Sequence, residues 1–153
     1  MARILVVDDE ENILQLLRTI LQIGGHDVLS AVNQADGFDL LRRESVDLLL
    51  LDLRIGEFDG RDFFHGARAN GYMGRIVIIS AFGAVRAARE LGADGAIEKP
   101  FDPADLMDEI ERILALHRPG ANESSEPGTA ALHRLGGWLA PIRFRVRLSP
   151  GPA

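Results

Sequence analysis

The chain has 153 residues, enough for one folded domain and a short extension. Its composition, 46% hydrophobic and 26% charged, is ordinary for a globular protein, and the absence of cysteine excludes disulfides and thiolate metal sites. No apolar run approaches the roughly 20 residues needed to span a bilayer. We therefore expect a cytoplasmic protein that does not insert into a membrane.

The net charge of −6 is unevenly distributed. Residues 1–117 carry 12 basic and 21 acidic side chains, whereas residues 118–153 carry five arginines and two glutamates. An acidic body argues against direct nucleic acid binding by the main domain, and it suits a site where carboxylates surround a cation. Lysine occurs once, at Lys99, among 16 arginines. This suggests a position that requires a compact ammonium group.

Five short apolar runs alternate with five helical patterns. The predicted strands cover residues 4–7, 28–31, 46–51, 76–79 and 96–97. The first, third and fourth are continuously apolar, which is typical of strands covered on both faces of a parallel sheet. The helix end signals are, in chain order, Gly24 after the first, Asn33 before the second, Asp59 before the third, Gly92 after the fourth, and Asp102 with Pro103 before the fifth. The second helix is expected to bury Ala35, Phe38 and Leu41.

These repeats predict an α/β protein with a single doubly wound, five-stranded parallel sheet and five helices. In so short a chain the flavodoxin-like strand order 2-1-3-4-5 is expected. The domain is predicted to cover residues 1–117. Residues 118–153 are rich in Pro, Gly and Arg, and they are interpreted as a poorly ordered tail.

Ligands of such sheets bind at the carboxyl ends of the strands. The residues expected there are Asp8 and Asp9 after the first strand, Asp52 after the third, Ser80 after the fourth and Lys99 after the fifth. Three neighbouring carboxylates repel one another unless a cation joins them, and oxygen ligands favour Mg²⁺. A carboxylate can also accept a phosphoryl group, whose oxygens the metal, Lys99 and Ser80 would stabilise. Asp52 is the best-placed acceptor because it ends the central strand.

Five sequence blocks carry a resemblance to a known family. They are ILVVDDE at 4–10, DLLLLDL at 47–53, DG at 59–60, IVIISAF at 76–82 and GADGAIEKPF at 92–101. In this order they resemble the receiver domain of bacterial response regulators. The resemblance implies that a histidine kinase or a phosphotransfer protein passes a phosphoryl group to Asp52.

The resemblance also implies a role for each residue of the site. Asp9, Asp52 and the backbone carbonyl of Arg54 would bind Mg²⁺ directly, and Asp8 would act through a metal-bound water. Ser80 and Lys99 would hold the phosphoryl oxygens, and the bond between Lys99 and Pro100 would be cis. Arg54 and Phe82 would flank the approach of the hydrolytic water, and we predict that they set the lifetime of the phosphorylated state.

Three positions depart from the family pattern. Ala96 occupies the position, three residues before Lys99, where the family usually has an aromatic residue. That aromatic side chain turns inward when the hydroxyl residue, here Ser80, moves. The interval from Ser80 to Lys99 is about one helical turn short, which predicts a short fourth helix. Gly56 replaces a common proline, and we expect it to loosen the loop after Asp52.

The leading interpretation is a phosphorylatable switch of two-component signalling. It would not be an enzyme beyond its own phosphorylation and dephosphorylation, and it would act by contact with an unidentified downstream protein. A receiver-like interaction module that works without phosphorylation is the alternative, and homodimerisation stays open. The acids could instead cap helices, Asp9 in particular. His26, His65, His117 and His133 lack metal-ligand spacing and are predicted to lie on the surface.

Overall fold

The computed structural model describes residues 1–116, so the predicted tail at 118–153 lies outside the described residues, as do His117 and His133. The strands are β1 Arg3–Val7, β2 Asp27–Ala31, β3 Leu48–Asp52, β4 Arg54–Ile55, β5 Phe58–Asp59, β6 Arg75–Ser80 and β7 Gly95–Glu98. The helices are α1 Glu11–Ile23, α2 Gln34–Arg43, α3 Gly60–Ala69, α4 Ala84–Leu91 and α5 Pro103–Ala115. None of these helices has the length and apolar character needed to cross a membrane.

Five strands form one parallel sheet in the order β2-β1-β3-β6-β7. Counted over the strands of this sheet, the order is the predicted 2-1-3-4-5. The register determines which residues meet at the carboxyl edge. Val7 pairs with Leu51, so Asp8 lies level with Asp52, and Ser80 on β6 pairs with Glu98, next to Lys99.

Both faces of the sheet are covered, which explains the continuous apolar runs. Alternate side chains of the central strands pack under α1 and α5 on one face and under α2, α3 and α4 on the other. The four leucines of β3, at positions 48 to 51, are completely inaccessible to solvent. Each such buried leucine stabilises the fold by about 2 kcal/mol.

The predicted helix ends are confirmed where a side chain caps the helix. Asn33 accepts a hydrogen bond from the Asp36 amide at 2.8 Å, and Asp102 accepts one from the Ala104 amide at 2.8 Å. The fourth helix, α4, has eight residues and is the shortest of the five, as expected. It lies between Gly83 and Gly92, which have φ values of +68° and +74°.

The prediction for the buried face of α2 was partly wrong. Ala35 is exposed, and Gly37 is the residue buried against the sheet. A Cβ at position 37 would lie 2.9 Å from the Phe63 ring, so glycine is what allows the aromatic residue to pack there. The Phe63 ring stacks on the half-buried Phe38 with ring centroids 4.2 Å apart.

The prediction that His26 lies on the surface was also wrong, whereas His65 is exposed as expected. His26 Nδ1 accepts a hydrogen bond from the Ala2 amide at 3.1 Å, so the ring proton of the neutral form is on Nε2. Nε2 lies 2.8 Å from the Glu111 carboxylate. The imidazole therefore joins the start of β1 to α5 at the edge of the sheet opposite Asp52.

The segment after Asp52, expected to be a loosened loop, forms an antiparallel hairpin. Arg54 pairs with Asp59 and Ile55 with Phe58, and the Ile55 side chain is only 1% exposed. The Gly60 amide then donates to the Leu53 carbonyl at 2.7 Å. A Cβ on Gly60 would lie 2.1 Å from the Asp52 carbonyl oxygen. Only glycine therefore allows α3 to begin directly against the end of β3.

Replacement of Gly60 by alanine should consequently displace the end of β3. We expect Gly60→Ala to lower the free energy of unfolding by about 2–3 kcal/mol, measured by urea denaturation, because the clash involves backbone atoms. Gly71→Ala is the matched control, since position 71 has a φ of +89° and open space around it. It should cost about 1–2 kcal/mol from backbone strain alone and leave the NMR signals of Asp52 unchanged. An unchanged stability of Gly60→Ala would contradict the close approach.

Candidate functional site

The carboxyl ends of the strands bring together the side chains predicted from the sequence. Asp8, Asp52 and Ser80 are buried, with 0%, 4% and 7% of their surface exposed, and Asp9 is exposed beside them. Asp52, Ser80 and Lys99 face a crevice of about 620 Å³ that opens to solvent. Its rim is formed by the β4–β5 hairpin and by the loop between β6 and α4.

Lys99 holds the two buried carboxylates together. Its Nζ donates to Asp8 Oδ2 at 2.9 Å and to Asp52 Oδ2 at 3.0 Å, and its side chain is 14% exposed. Burial opposes the charge on Lys99, but the hydrogen bonds and charges of Asp8 and Asp52 outweigh it and raise the pKa of the ammonium group. A compact ammonium with three rotatable donors can serve two carboxylates that converge on one point, which accounts for a lysine at position 99.

Four acidic side chains form one cluster at this edge. Carboxylate oxygens of Asp8, Asp9, Glu10 and Asp52 all lie within 4.8 Å of one another. Glu10 was not among the predicted site residues, although the run of four acids after β1, at positions 8 to 11, was a signal for it. Its Oε1 lies 3.9 Å from Lys99 Nζ. The cluster offers only oxygen ligands, and it fits a hard divalent cation such as Mg²⁺.

Backbone amides orient the carboxylates of the cluster. The Glu10 amide donates to Asp8 Oδ1 at 2.9 Å, and the Arg54 amide donates to Asp52 Oδ1 at 3.0 Å. The Gly56 amide donates to Asp9 Oδ2 at 3.0 Å. The first helix is capped at Glu10 without any side-chain hydrogen bond. Asp9 therefore does not cap α1, and the capping interpretation of this acid is not supported.

The carboxyl group of Asp8 has a raised pKa. Burial raises the pKa of its carboxyl group to about 6, and the negative charge of Asp52 acts in the same direction. The hydrogen bonds from the Glu10 amide and from Lys99 act in the opposite direction and are outweighed. The cluster places four carboxyl groups beside the single ammonium group of Lys99, which cannot neutralise all of them.

The Ser80 hydroxyl forms hydrogen bonds with the backbone of the loop between β6 and α4. Its Oγ donates to the Phe82 carbonyl at 3.1 Å and accepts from the Phe82 amide at 3.4 Å. The Phe82 ring is 87% exposed at the rim of the crevice. Ala96, which pairs with Ile78 in the sheet, is half-buried against the α2–α4 face. At the position where the family usually has an aromatic side chain that moves with the hydroxyl residue, this chain thus has only the methyl group of Ala96.

The remaining predicted residues also lie around the crevice. Arg54 is exposed on β4, and within residues 1–116 its guanidinium makes no hydrogen bond or ion pair with another side chain. The peptide bond between Lys99 and Pro100 is cis, in agreement with what the resemblance implies. The Lys99 amide donates to the Ser80 carbonyl at 2.8 Å, which places the two side chains on neighbouring strands.

Comparison with known proteins identifies relatives of this arrangement. Residues 4–111 match the family described as the response regulator receiver domain. The chain is 31% identical over 117 residues to sporulation initiation phosphotransferase F of Bacillus subtilis, covering 74% of this chain and 94% of that protein. It is also 31% identical over 134 residues to the probable transcriptional regulator ycf27 of Porphyridium aerugineum. That match covers 86% of this chain but only 55% of the regulator.

A solved structure shows the same fold. The response regulator protein TrrA from Thermotoga maritima, in complex with Mg²⁺ and beryllofluoride, is 28% identical and superposes with a TM-score of 0.66. The match covers 74% of this chain and 99% of that protein.

The raised pKa of Asp8 predicts a pH dependence of stability. In the unfolded chain this carboxyl loses its proton near pH 3.8, whereas in the folded protein it keeps the proton up to about pH 6. The contribution of Asp8 to stability is therefore lost as the pH rises between these values. With chelator present, the free energy of unfolding of Asp8→Asn should rise relative to that of wild type as the pH goes from 4 to 7. The difference should reach up to about 3 kcal/mol.

Urea denaturation at each pH measures this difference. The control is Asp62→Asn, which removes an exposed carboxylate on α3 outside the acidic cluster, so it gives the baseline for losing one aspartate. A constant difference for Asp8→Asn would contradict the raised pKa.

Proposed function

Because this chain belongs to the family of response-regulator receiver domains, we propose that it is a phosphorylatable signalling switch with Asp52 as its acceptor. The position of Asp52 carries the proposal. Its carboxylate ends the central strand, is nearly buried, belongs to the acidic cluster and lies 3.0 Å from the Lys99 ammonium. The phosphoryl donor would be a histidine kinase or a phosphotransfer protein.

The chemistry follows from the groups around Asp52. A carboxylate oxygen of Asp52 would form the new bond to phosphorus while the bond from phosphorus to the donor histidine nitrogen breaks. Lys99 already donates to this carboxylate, so its ammonium can pass to a phosphoryl oxygen without a large movement. Ser80 would supply a further donor by turning its hydroxyl away from the Phe82 carbonyl.

The acidic cluster supports a bound Mg²⁺ in this reaction. We propose that Asp9, Asp52 and the backbone carbonyl of Arg54 hold the ion directly and that Asp8 does so through water. Glu10 lies close enough to join this set. The ion would neutralise negative charge on the phosphoryl oxygens. Such a role agrees with the Mg²⁺ and beryllofluoride present in the TrrA structure.

Output would depend on contact with a downstream protein. The surface of α4, β7 and α5 is the expected site of that contact, and homodimerisation through it is an alternative. The acidic character of residues 1–117 disfavours direct nucleic acid binding by this domain. One observation favours the second candidate, an interaction module that works without phosphorylation. Ala96 leaves no aromatic side chain to carry a movement of Ser80 to β7.

The phosphoacceptor assignment can be tested with a phosphoryl mimic. Amide NMR spectra recorded with Mg²⁺, before and after addition of beryllofluoride, should show saturable shifts around Asp9, Asp52, Ser80 and Lys99. Asp52→Asn should abolish them because it removes the attacking carboxylate, whereas the exposed Asp62→Asn should retain them. Shifts that persist in Asp52→Asn, or their absence from wild type, would favour the interaction module.

The lifetime of the phosphorylated state should depend on Arg54 and Phe82. The Arg54 guanidinium at the rim can bind phosphoryl oxygens, and the Phe82 ring can exclude water. We expect Arg54→Ala and Phe82→Ala each to accelerate dephosphorylation about three- to tenfold. Matched controls at the same crevice are Arg61→Ala and Phe58→Ala. Equal rates in wild type and both test variants, measured after phosphorylation with phosphoramidate, would exclude this role.

A further inference from the structure

The backbone amide of Gly56 donates a hydrogen bond to Asp9, and this bond has no role in the function proposed above. Gly56 and Glu57 are the two turn residues of the β4–β5 hairpin, and they connect Ile55 to its pairing partner Phe58. Gly56 has a φ of +62°, a value that two-residue hairpin turns favour and that residues other than glycine rarely adopt.

The hairpin holds this amide at a fixed place relative to Asp52. Ile55, the residue before Gly56, is anchored in the core with 1% of its surface exposed. On the other side, the Gly60 amide donates to the Leu53 carbonyl at 2.7 Å. Both ends of the hairpin are therefore attached to the segment that carries Asp52.

The Gly56 amide is directed at Asp9, which no core packing holds in place. Asp9 is exposed, and within residues 1–116 the Gly56 N–H, at 3.0 Å from Oδ2, is the only hydrogen-bond donor to its carboxylate. By contrast, Asp8 and Asp52 have both oxygens bonded, one to a backbone amide and one to Lys99. Asp9 Oδ1 is thus the oxygen of these three aspartates that the protein leaves open to a cation.

We propose that the Gly56 N–H is a positioning donor that fixes the Asp9 carboxylate for Mg²⁺ and couples occupancy of the cation to the conformation of the hairpin. This inference rests on the proposed function, because it assumes that the acidic cluster binds the ion. An unrestrained aspartate loses side-chain freedom when it binds a metal, and the hydrogen bond removes part of that cost beforehand. Proline at this position would have no N–H to donate.

Two substitutions of Gly56 separate the hydrogen bond from the turn conformation. Alanine retains the N–H but is strained at a φ of +62°, whereas proline is strained and also lacks the donor. Titration with Mg²⁺ alone, followed by amide NMR, gives the dissociation constant of each variant. We expect Gly56→Pro to weaken binding about tenfold and Gly56→Ala to weaken it by at most about twofold. Urea denaturation should show a loss of stability in both variants.

A measurement on the wild-type chain complements the variants in case Gly56→Pro does not fold. The Gly56 amide should exchange with solvent more slowly than the Glu57 amide in the metal-free protein, and Asp9→Ala should remove that protection. In wild type, Glu57 and Phe58 should shift on Mg²⁺ addition with the same dissociation constant as Asp9.

The outcomes distinguish this inference from the function on which it rests. Equal Mg²⁺ affinities in the alanine and proline variants, or an unprotected Gly56 amide in wild type, would overturn the positioning role and leave the phosphoacceptor site intact. A wild-type chain without any saturable response to Mg²⁺ would overturn the magnesium site itself, and the positioning role with it.

Discussion

The electrostatic balance around Lys99 is the constraint on which the site depends. The sheet brings Asp8 and Asp52 side by side, both nearly inaccessible to water, and a single ammonium group bonds to both. Two buried carboxylates at this distance disfavour each other's ionisation unless positive charge is supplied. Lys99 neutralises only part of the charge, and burial, aided by the negative charge of Asp52, raises the pKa of Asp8 to about 6. The same deficit of positive charge supports the cation proposed for the crevice.

The rest of the fold makes this arrangement rigid. Two layers of helices enclose the central strands, and the level ends of β1 and β3 set the separation between Asp8 and Asp52. A shift of the register would move the acids away from one another and reverse which side chains are buried. The apolar core therefore determines the geometry of the polar site. Gly60 adds a further condition, because only a residue without a side chain lets α3 begin against Asp52.

Much of this structure was predictable from the sequence. Alternating apolar runs and helix end signals predicted the strands of the sheet and the five helices, because both depend on periodicity along the chain. The shortness of the chain and the rule of right-handed crossovers then predicted the strand order. The rule that ligands bind at the carboxyl ends of strands then placed Asp8, Asp52, Ser80 and Lys99 together. Each of these features follows from side chains at regular spacing.

The features that were missed depend on other kinds of contact. The β4–β5 hairpin has strands of two residues, too short to produce a period, and its bond to Asp9 comes from the backbone of Gly56. A backbone hydrogen bond of this kind cannot be predicted from residue types, because every residue except proline has an N–H donor. The burial of His26 depends on partners 24 and 85 positions away in the chain. On α2, Gly37 is buried instead of Ala35, and the Phe63 ring that packs against it lies on a different helix.

The composition of α4 has a consequence for the dynamics of the domain. Its residues facing the sheet are Ala84, Ala87 and Ala88, and left-handed glycines bound it at both ends. Methyl groups bury little apolar area, so this helix is held to the sheet less strongly than α1 or α5, which insert leucine and isoleucine side chains. Local opening therefore costs less at α4 than at α1 or α5. A change of a few kcal/mol at the neighbouring crevice is large enough to alter how often such a helix is undocked.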